Sequence, residues 1–135
     1  MFIELPEEDK VEGMCGEMLK SMYGTRDAAK NWENCYSEFM EGIGMMRGKT
    51  SACTFWSKDK DIRAVVHGDD FTLCGVEEDL ARVQSWMKCW FEIKVRGVLG
   101  LDAEDDKEIS ILGRIVRWKS WGIEFEADPK HRKKI

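Results

Sequence analysis

The stretch from Ile62 to Cys74 has the sequence IRAVVHGDDFTLC, and it is the most informative part of the chain. Apolar and β-branched residues stand on both sides of the short polar segment HGDD at 67–70. Two such runs joined by a glycine-containing turn predict a β-hairpin, here with strands at about Ile62–His67 and Asp70–Gly75. Such a hairpin would present two adjacent carboxylates at its tip.

Asp69 and Asp70 are therefore the first candidates for a chemical role. Neighbouring like charges repel each other, and a divalent cation is the simplest compensation. Hard cations such as Mg²⁺ bind carboxylate oxygens and often share their coordination with substrate phosphates. Asp and Gly are also common turn residues for backbone reasons alone. The local pattern leaves two interpretations open, a metal site and an ordinary turn.

Composition limits the classes of protein that the chain can belong to. With 135 residues, 43% hydrophobic and 35% charged, it is one folded domain or part of one. No apolar run approaches the ~18 residues that span a bilayer, so no membrane partner is predicted. Five cysteines without a Cys-x-x-Cys pair favour neither a disulfide framework nor a zinc site, which suits the reducing cytoplasm. The net charge of −5 disfavours a stand-alone nucleic-acid binder.

Hydrophobic spacing predicts two amphipathic helices. The first begins at Thr25 as N-cap and ends at Gly42 and Gly44. Its apolar face recurs at steps of three and four: Ala29, Trp32, Tyr36, Phe39 and Ile43. The second helix is predicted at about Glu77–Trp90, with acidic residues at its N-terminus. Its buried side would consist of Val76, Leu80, Val83, Met87 and Trp90.

Short apolar runs outside the hairpin predict further strands. Met1–Leu5 is expected to be an edge strand that stops at Pro6, and Asp128-Pro129 is expected to open another helix. The remaining strands are expected at Cys53–Ser57, Phe91–Val95, Ile109–Trp118 and Gly122–Glu126, the last two joined across Lys119-Ser120-Trp121. Strands and helices in this order predict an α+β fold, an antiparallel sheet with helices on one face.

Five segments, in order along the chain, resemble the palm of a reverse transcriptase of the copia-type long-terminal-repeat retrotransposons. Tyr23-Gly24-Thr25-Arg26-Asp27-Ala28 and Trp32 resemble the family's Leu-Tyr-Gly-Leu-Lys-Gln-Ala-Pro-Arg-Ala-Trp block. HGDD at 67–70 stands where the family has Tyr-Val-Asp-Asp. The other matching segments are Met1–Pro6, Phe91–Lys94 with Gly97, and Leu112-Gly113 on a strand leading toward the thumb.

The resemblance implies an RNA-directed DNA polymerase that works by two-metal nucleotidyl transfer. Asp69 and Asp70 would hold two Mg²⁺ ions, which stabilise the attacking primer oxygen and the leaving pyrophosphate. Lys94 would lie near the triphosphate as proton donor or charge stabiliser, or would be an exposed strand lysine. The residues expected on the substrate side are Tyr23, Gly24, Arg26, His67 and Gly68. Gly24 would allow a close approach to nucleotide and template.

The resemblance also names the partners of the complete enzyme. These are an RNA or DNA template with its primer, deoxynucleoside triphosphates, and the rest of a DNA-integration polyprotein with its thumb and RNase H. The parent element would act in the cytoplasm, the nucleus or a virus-like particle. The family's third carboxylate lies on a strand that would precede Met1, and its thumb would begin near residue 128. We therefore expect residues 1–135 to be a partial palm, truncated at both ends and inactive alone.

Departures from the family pattern keep other interpretations open. His67 and Gly68 replace Tyr and Val, and Ala29 replaces Pro. One alternative is a domesticated or decaying palm-fold relic, a folded non-enzymatic interaction module. Another is a palm-like nucleotide cyclase, which also carries a carboxylate hairpin. The block from Tyr23 to Trp32 has no counterpart in cyclases, which favours the polymerase interpretation.

Overall fold

The chain is described here by a computed structural model that covers residues 2–126. The helix predicted after Asp128-Pro129 lies outside these residues. The described chain is α+β, with helices α1 (Ala28–Gly42) and α2 (Glu77–Trp90), one short 3₁₀ turn, and β-strands in three antiparallel sheets. Neither helix of this part of the chain is long and apolar enough to cross a membrane. The chain divides into two compact units, Met1–Asp79 and Leu80–Ile135.

The strands do not form the single antiparallel sheet that the sequence predicted. A two-stranded ribbon pairs β1 (Phe2–Ile3) with β2 (Gly16–Glu17). A four-stranded sheet has the order β3-β4-β5-β6, and a three-stranded sheet has the order β7-β8-β9. Their strands are β3 (Met46–Arg47), β4 (Thr54–Trp56), β5 (Arg63–His67), β6 (Asp70–Cys74), β7 (Glu108–Ile111), β8 (Arg114–Lys119) and β9 (Gly122–Glu126).

The core of the first unit lies between α1 and one face of the four-stranded sheet. Burial alternates along β5, where Ala64 and Val66 are buried and their neighbours are exposed. Phe55 on β4 is 1% exposed, and its ring meets the edge of Tyr36 from α1 with centroids 6.1 Å apart. The buried residues of α1 are Tyr36, Ser37, Phe39 and Met40, with Trp32 and Ile43 half-buried and Ala29 exposed.

Helix α1 begins three residues later than predicted, because Thr25 does not cap it. The Thr25 hydroxyl donates a hydrogen bond to the Met22 carbonyl at 2.7 Å, so its oxygen is engaged in the preceding turn. The N-cap residue is Asp27, and its side chain makes no capping hydrogen bond. Competition by such local side-chain to backbone bonds is the usual reason why Ser and Thr mark turns as well as caps.

The end of α1 follows the predicted glycine signal. Gly44 has a φ of 87°, and its N–H donates to the Glu41 carbonyl at 3.0 Å. The N–H of Met45 donates to the Met40 carbonyl, also at 3.0 Å. These two bonds form a Schellman motif, in which the flanking apolar pair is buried. Met40 and Met45 are 0% and 4% exposed, so the motif turns the chain directly into β3.

Helix α2 has the predicted bounds but a narrower buried side. Val83 and Met87 are buried and Leu80 is half-buried. Val76 precedes the helix and is 58% exposed, and Trp90 in its last turn is 73% exposed. The prediction that Val76 and Trp90 are buried was therefore wrong, since both ends of the predicted apolar stripe are exposed.

In the second unit, the predicted strand at Phe91–Val95 is absent. The Phe91 N–H donates to the Met87 carbonyl at 2.8 Å, which continues the end of α2. Half-buried and exposed residues still alternate from Phe91 to Lys94, but this segment has no ladder partner among the described residues. Alternation predicts an extended chain, whereas a strand also needs a neighbouring backbone.

The predicted strand Ile109–Trp118 is two strands. Leu112 and Gly113, with φ of 52° and 75°, form a two-residue turn between β7 and β8 in which Ile111 pairs with Arg114. Positive φ at both central residues defines a type I′ hairpin turn. The resemblance placed Leu112-Gly113 on a strand, and this expectation was wrong. The second turn of this sheet is Ser120-Trp121, shorter than predicted because Lys119 ends β8.

Candidate functional site

The predicted hairpin at 67–70 is present in the first unit. Strands β5 and β6 pair in an antiparallel register from Arg63↔Cys74 to His67↔Asp70, so only Gly68 and Asp69 form the turn. Gly68 has a φ of 62°, and Asp69 has a negative φ. This combination is typical of a type II′ turn, which matches the twist of paired strands and requires glycine at its first position. The positive φ at the first turn position therefore explains why residue 68 is a glycine.

The two carboxylates occupy different positions at the tip. Asp69 is exposed at the second turn position, and Asp70 is half-buried as the first residue of β6. Side chains alternate between the faces of a strand, so Asp70 and its partner His67 lie opposite the face of Val66 and Phe71. The carboxylate of Asp70 thus belongs to the face of the sheet that is turned away from α1.

Helix α1 is joined to this turn by a hydrogen bond between residues far apart in sequence. The indole N–H of Trp32 donates to the carbonyl oxygen of Gly68 at 2.6 Å. The Trp32 ring also meets Phe71 edge-on, with centroids 6.1 Å apart. Phe71 directly follows Asp70, so the helix contacts the hairpin on both sides of the two aspartates. Sequence analysis placed Trp32 on the apolar face of α1 but missed this bond.

Tyr36 lies at the centre of the aromatic cluster behind the hairpin. Its ring is 5.8 Å from Trp32, 6.0 Å from Phe71 and 6.1 Å from Phe55 between centroids, in each case edge to face. Burial raises the pKa of the Tyr36 hydroxyl, and its contact with the Cys53 thiol raises that pKa further. Edge-to-face pairs of this kind contribute about 0.5–1.5 kcal/mol each beyond the area that they bury.

The segment that resembles the family's Tyr-Gly block forms a turn ahead of α1. The Thr25 N–H donates to the Met22 carbonyl at 3.1 Å, and Gly24 at the third turn position has a φ of 87°. These are features of a type II turn. A Cβ on Gly24 would meet no atom of the described chain within 4 Å. Glycine is required there by the backbone angle, and a close approach to a nucleotide stays a prediction.

Tyr23 and Arg26, the other predicted substrate residues of this block, are exposed. Tyr23 is 101% exposed, so nothing in the described chain fixes its ring. Two residues ahead of the block, the Ser21 hydroxyl accepts a hydrogen bond at 2.9 Å from the Asn31 amide of α1. Asn31 precedes Trp32, so the first turns of α1 contact both the segment before the Tyr-Gly block and the carboxylate hairpin. Sequence analysis assigned no role to Ser21 or Asn31.

An open pocket of about 270 Å³ lies at this same end of α1. Its lining combines a cation, hydroxyls, an amide and a carboxylate with two apolar side chains. The lining residues are Met18, Leu19, Lys20, Ser21, Thr25, Asp27 and Asn31. Neither Asp69 nor Asp70 lines it, so the pocket is separate from the carboxylate pair.

Lys94 lies in the second unit and is exposed on the segment that forms no strand. The alternative that described it as an exposed strand lysine was wrong about the strand. Its predicted role near a triphosphate stays a prediction.

The carboxylate pair offers hard oxygen donors to a cation. Asp69 and Asp70 could contribute ligands to Mg²⁺, which commonly takes one or two carboxylates and completes its shell with water and substrate phosphates. Between residues 2 and 126, however, no group of three or more His, Cys, Asp or Glu side chains is arranged to hold a metal ion.

No protein-family model matches the chain, and no solved structure matches it.

Proposed function

We propose that the chain is the carboxylate-bearing part of a reverse-transcriptase palm of the copia type and takes part in nucleotidyl transfer. The observation that carries the proposal is the two-residue turn that presents Asp69 and Asp70 at the tip of an antiparallel hairpin. The order of the resembling segments supports it, because the Tyr-Gly block leads directly into α1 and the start of α1 contacts the hairpin. The finer classification of the fold as palm-like is part of the same proposal.

The carboxylates of Asp69 and Asp70 would hold Mg²⁺, and the metal would supply charge stabilisation for the attacking and leaving oxygens. The residues of this chain have the task of positioning. The type II′ turn places Asp69 beside Asp70, and α1 supports the turn from behind. The third carboxylate that such a centre uses would have to come from a segment outside residues 2–126.

A second candidate function is a folded interaction module without catalysis. The observation that favours it is the aromatic packing of α1 against the hairpin, which builds a folded unit without any contribution from the two carboxylates. Both candidates share the hairpin and the aromatic core. They differ in whether Asp69 and Asp70 are needed for an activity once the rest of a polymerase is supplied.

A chimaeric polymerase separates the two candidates. Residues 1–135 would replace the matching segment of an active copia-type reverse transcriptase, which supplies the upstream carboxylate strand and the thumb. We expect Mg²⁺-dependent primer extension that Asp69→Asn abolishes. Asp59→Asn is the matched control, because Asp59 is an exposed aspartate of the same unit outside the hairpin. The 135-residue chain alone should extend no primer with Mg²⁺ or Mn²⁺.

Three results would contradict the proposal or a part of it. Extension by the chimaera that survives both Asp69→Asn and Asp70→Asn would show that the hairpin carboxylates are not catalytic. A chimaera that folds and binds primer–template but extends nothing would favour the interaction module. If the isolated chain extends a primer and Asp69→Asn abolishes that extension, no further carboxylate is required.

A further inference from the structure

The Trp32 indole is placed to control the conformation of the carboxylate turn. Its N–H donates to the Gly68 carbonyl at 2.6 Å, across 36 positions of sequence. Gly68 is the first residue of the turn and Asp69 is the second, so the carbonyl that accepts this bond belongs to the peptide group linking the two residues. Rotation of that peptide group would move the Asp69 side chain directly.

The ring of Trp32 is itself held in place. It meets Tyr36 and Phe71 edge-on at 5.8 and 6.1 Å, and Tyr36 is 4% exposed. This hydrogen bond lies at an exposed position, where water could replace the acceptor, so it gives one relative geometry of the ring and the turn the modest preference of a single neutral hydrogen bond. The ladder between β5 and β6 fixes both ends of the turn, and a Cβ at Gly68 would meet nothing within 4 Å, so side-chain packing does not restrict Gly68 itself.

We infer that Trp32 is a positioning residue for Asp69 and Asp70: it fixes the turn through the Gly68 carbonyl and thereby sets the geometry in which the two carboxylates bind a divalent cation. The part of the inference that concerns cation binding rests on the proposed function. The part that concerns the hydrogen bond from Trp32 to the turn does not. It assigns to the helix a role beyond packing, because the hydrogen bond acts on the turn rather than on the sheet.

The test uses the full 135-residue chain, labelled with ¹³C and ¹⁵N, and the variant Trp32→Phe. Phenylalanine keeps an aromatic ring but removes the N–H donor. Trp121→Phe is the matched control, since Trp121 is 72% exposed in the second unit. Tyr36→Phe controls for disturbance of the aromatic cluster, because it leaves the indole donor in place. The readouts are the Gly68 carbonyl shift and the amide signals of Asp69 and Asp70.

We expect Trp32→Phe to shift these turn signals while both controls leave them close to wild type. The affinity for Mn²⁺, followed by paramagnetic broadening of the Asp69 and Asp70 amides, should fall by about two- to tenfold, the range that one neutral hydrogen bond controls. The titration is made well below the melting temperature of each variant. A purely structural role would lower that temperature without changing the affinity of the folded chain.

The outcomes separate the inference from the proposed function. Unchanged turn signals, or an unchanged Mn²⁺ affinity in Trp32→Phe, overturn the positioning role. If Asp69→Asn binds Mn²⁺ as tightly as the wild type, the metal function is overturned. Shifted turn signals in Trp32→Phe would in that case still support the positioning of the turn by Trp32. If Trp32→Phe fails to fold, scalar coupling across the hydrogen bond from Trp32 Nε1 to the Gly68 carbonyl carbon is measured in the wild type. Its absence overturns the inference.

Discussion

Replacing Phe55 by alanine should strongly destabilise the unit that carries the hairpin. Phe55 is 1% exposed and is one of the two largest fully buried side chains of the described chain. Truncation of a core phenylalanine to alanine costs about 3–5 kcal/mol, and the lost edge contact with Tyr36 is included in that range. Small domains have a free energy of unfolding of about 5–15 kcal/mol, and a unit of this size lies toward the low end.

The same cost can be expressed as a melting temperature. For a domain of about 60–100 residues, 1 kcal/mol corresponds to about 4–8 °C, so Phe55→Ala should lower the melting temperature of the first unit by about 12–40 °C. Differential scanning calorimetry together with near-ultraviolet circular dichroism measures this loss. Phe125→Ala is the control, since Phe125 is 59% exposed and lies in the second unit.

The control substitution should cost far less. Phe125 packs mainly under the Arg114 guanidinium at 5.4 Å from the ring centroid, and such a contact is worth about 0.5–1 kcal/mol at an exposed site. If Phe55→Ala and Phe125→Ala melt at the same temperature as wild type, the face between α1 and the four-stranded sheet is not the core. The description of how the hairpin is supported would then be wrong.

Three further perturbations test other parts of the structure. Gly68→Ala should destabilise the hairpin by about 1–2 kcal/mol because alanine must adopt a positive φ, and denaturant titration should show a smaller loss for Gly68→Asn. Arg117→Ala should destabilise the three-stranded sheet, because the Arg117 guanidinium lies within 2.5–2.9 Å of three glutamates. Without the guanidinium these glutamates would repel one another, and the loss of stability should be smaller at high salt. Arg47 and, to a lesser extent, Lys30 lower the pKa of Glu33 from its ordinary value of 4.5, so the Glu33 carboxylate stabilises the fold above pH 4.5 and this contribution is lost as the pH falls through the lowered pKa. Glu33→Gln should therefore make the melting temperature less dependent on pH in the acid range. An unchanged acid dependence in Glu33→Gln would refute this prediction.

The sequence predicted those elements whose signals are local. The hairpin at 67–70 was predicted within one residue at each end, because glycine, aspartate and β-branched runs act over a few positions. The bounds of α2 and the glycine end of α1 were predicted for the same reason. The start of α1 was not, because the Thr25 hydroxyl can serve either a cap or a preceding turn and the sequence does not distinguish the two.

Features that depend on distant partners were missed. The strand predicted at Phe91–Val95 has the right alternation but no neighbouring backbone in the described chain, and the single sheet predicted from element order is three sheets. The hydrogen bond from Trp32 to Gly68 spans 36 positions, so no periodicity could indicate it. A weak signal existed, since a tryptophan on a half-buried helical face needs an acceptor for its N–H.

The charges of the candidate site explain why its geometry matters. The chain has a net charge of −5, and its hairpin places two neighbouring carboxylates on the surface that would meet a nucleotide under the proposed function. Phosphates would be repelled by such a surface unless a divalent cation lay between them, so the proposed recognition of nucleic acid would depend on a metal. A cation bridges carboxylates and phosphates only over short distances. If the turn exchanged between conformations, the carboxylate oxygens of Asp69 and Asp70 could not be held at the distances needed to bind one ion. The bond from α1 to the Gly68 carbonyl acts at the peptide group next to Asp69, where such movement would begin.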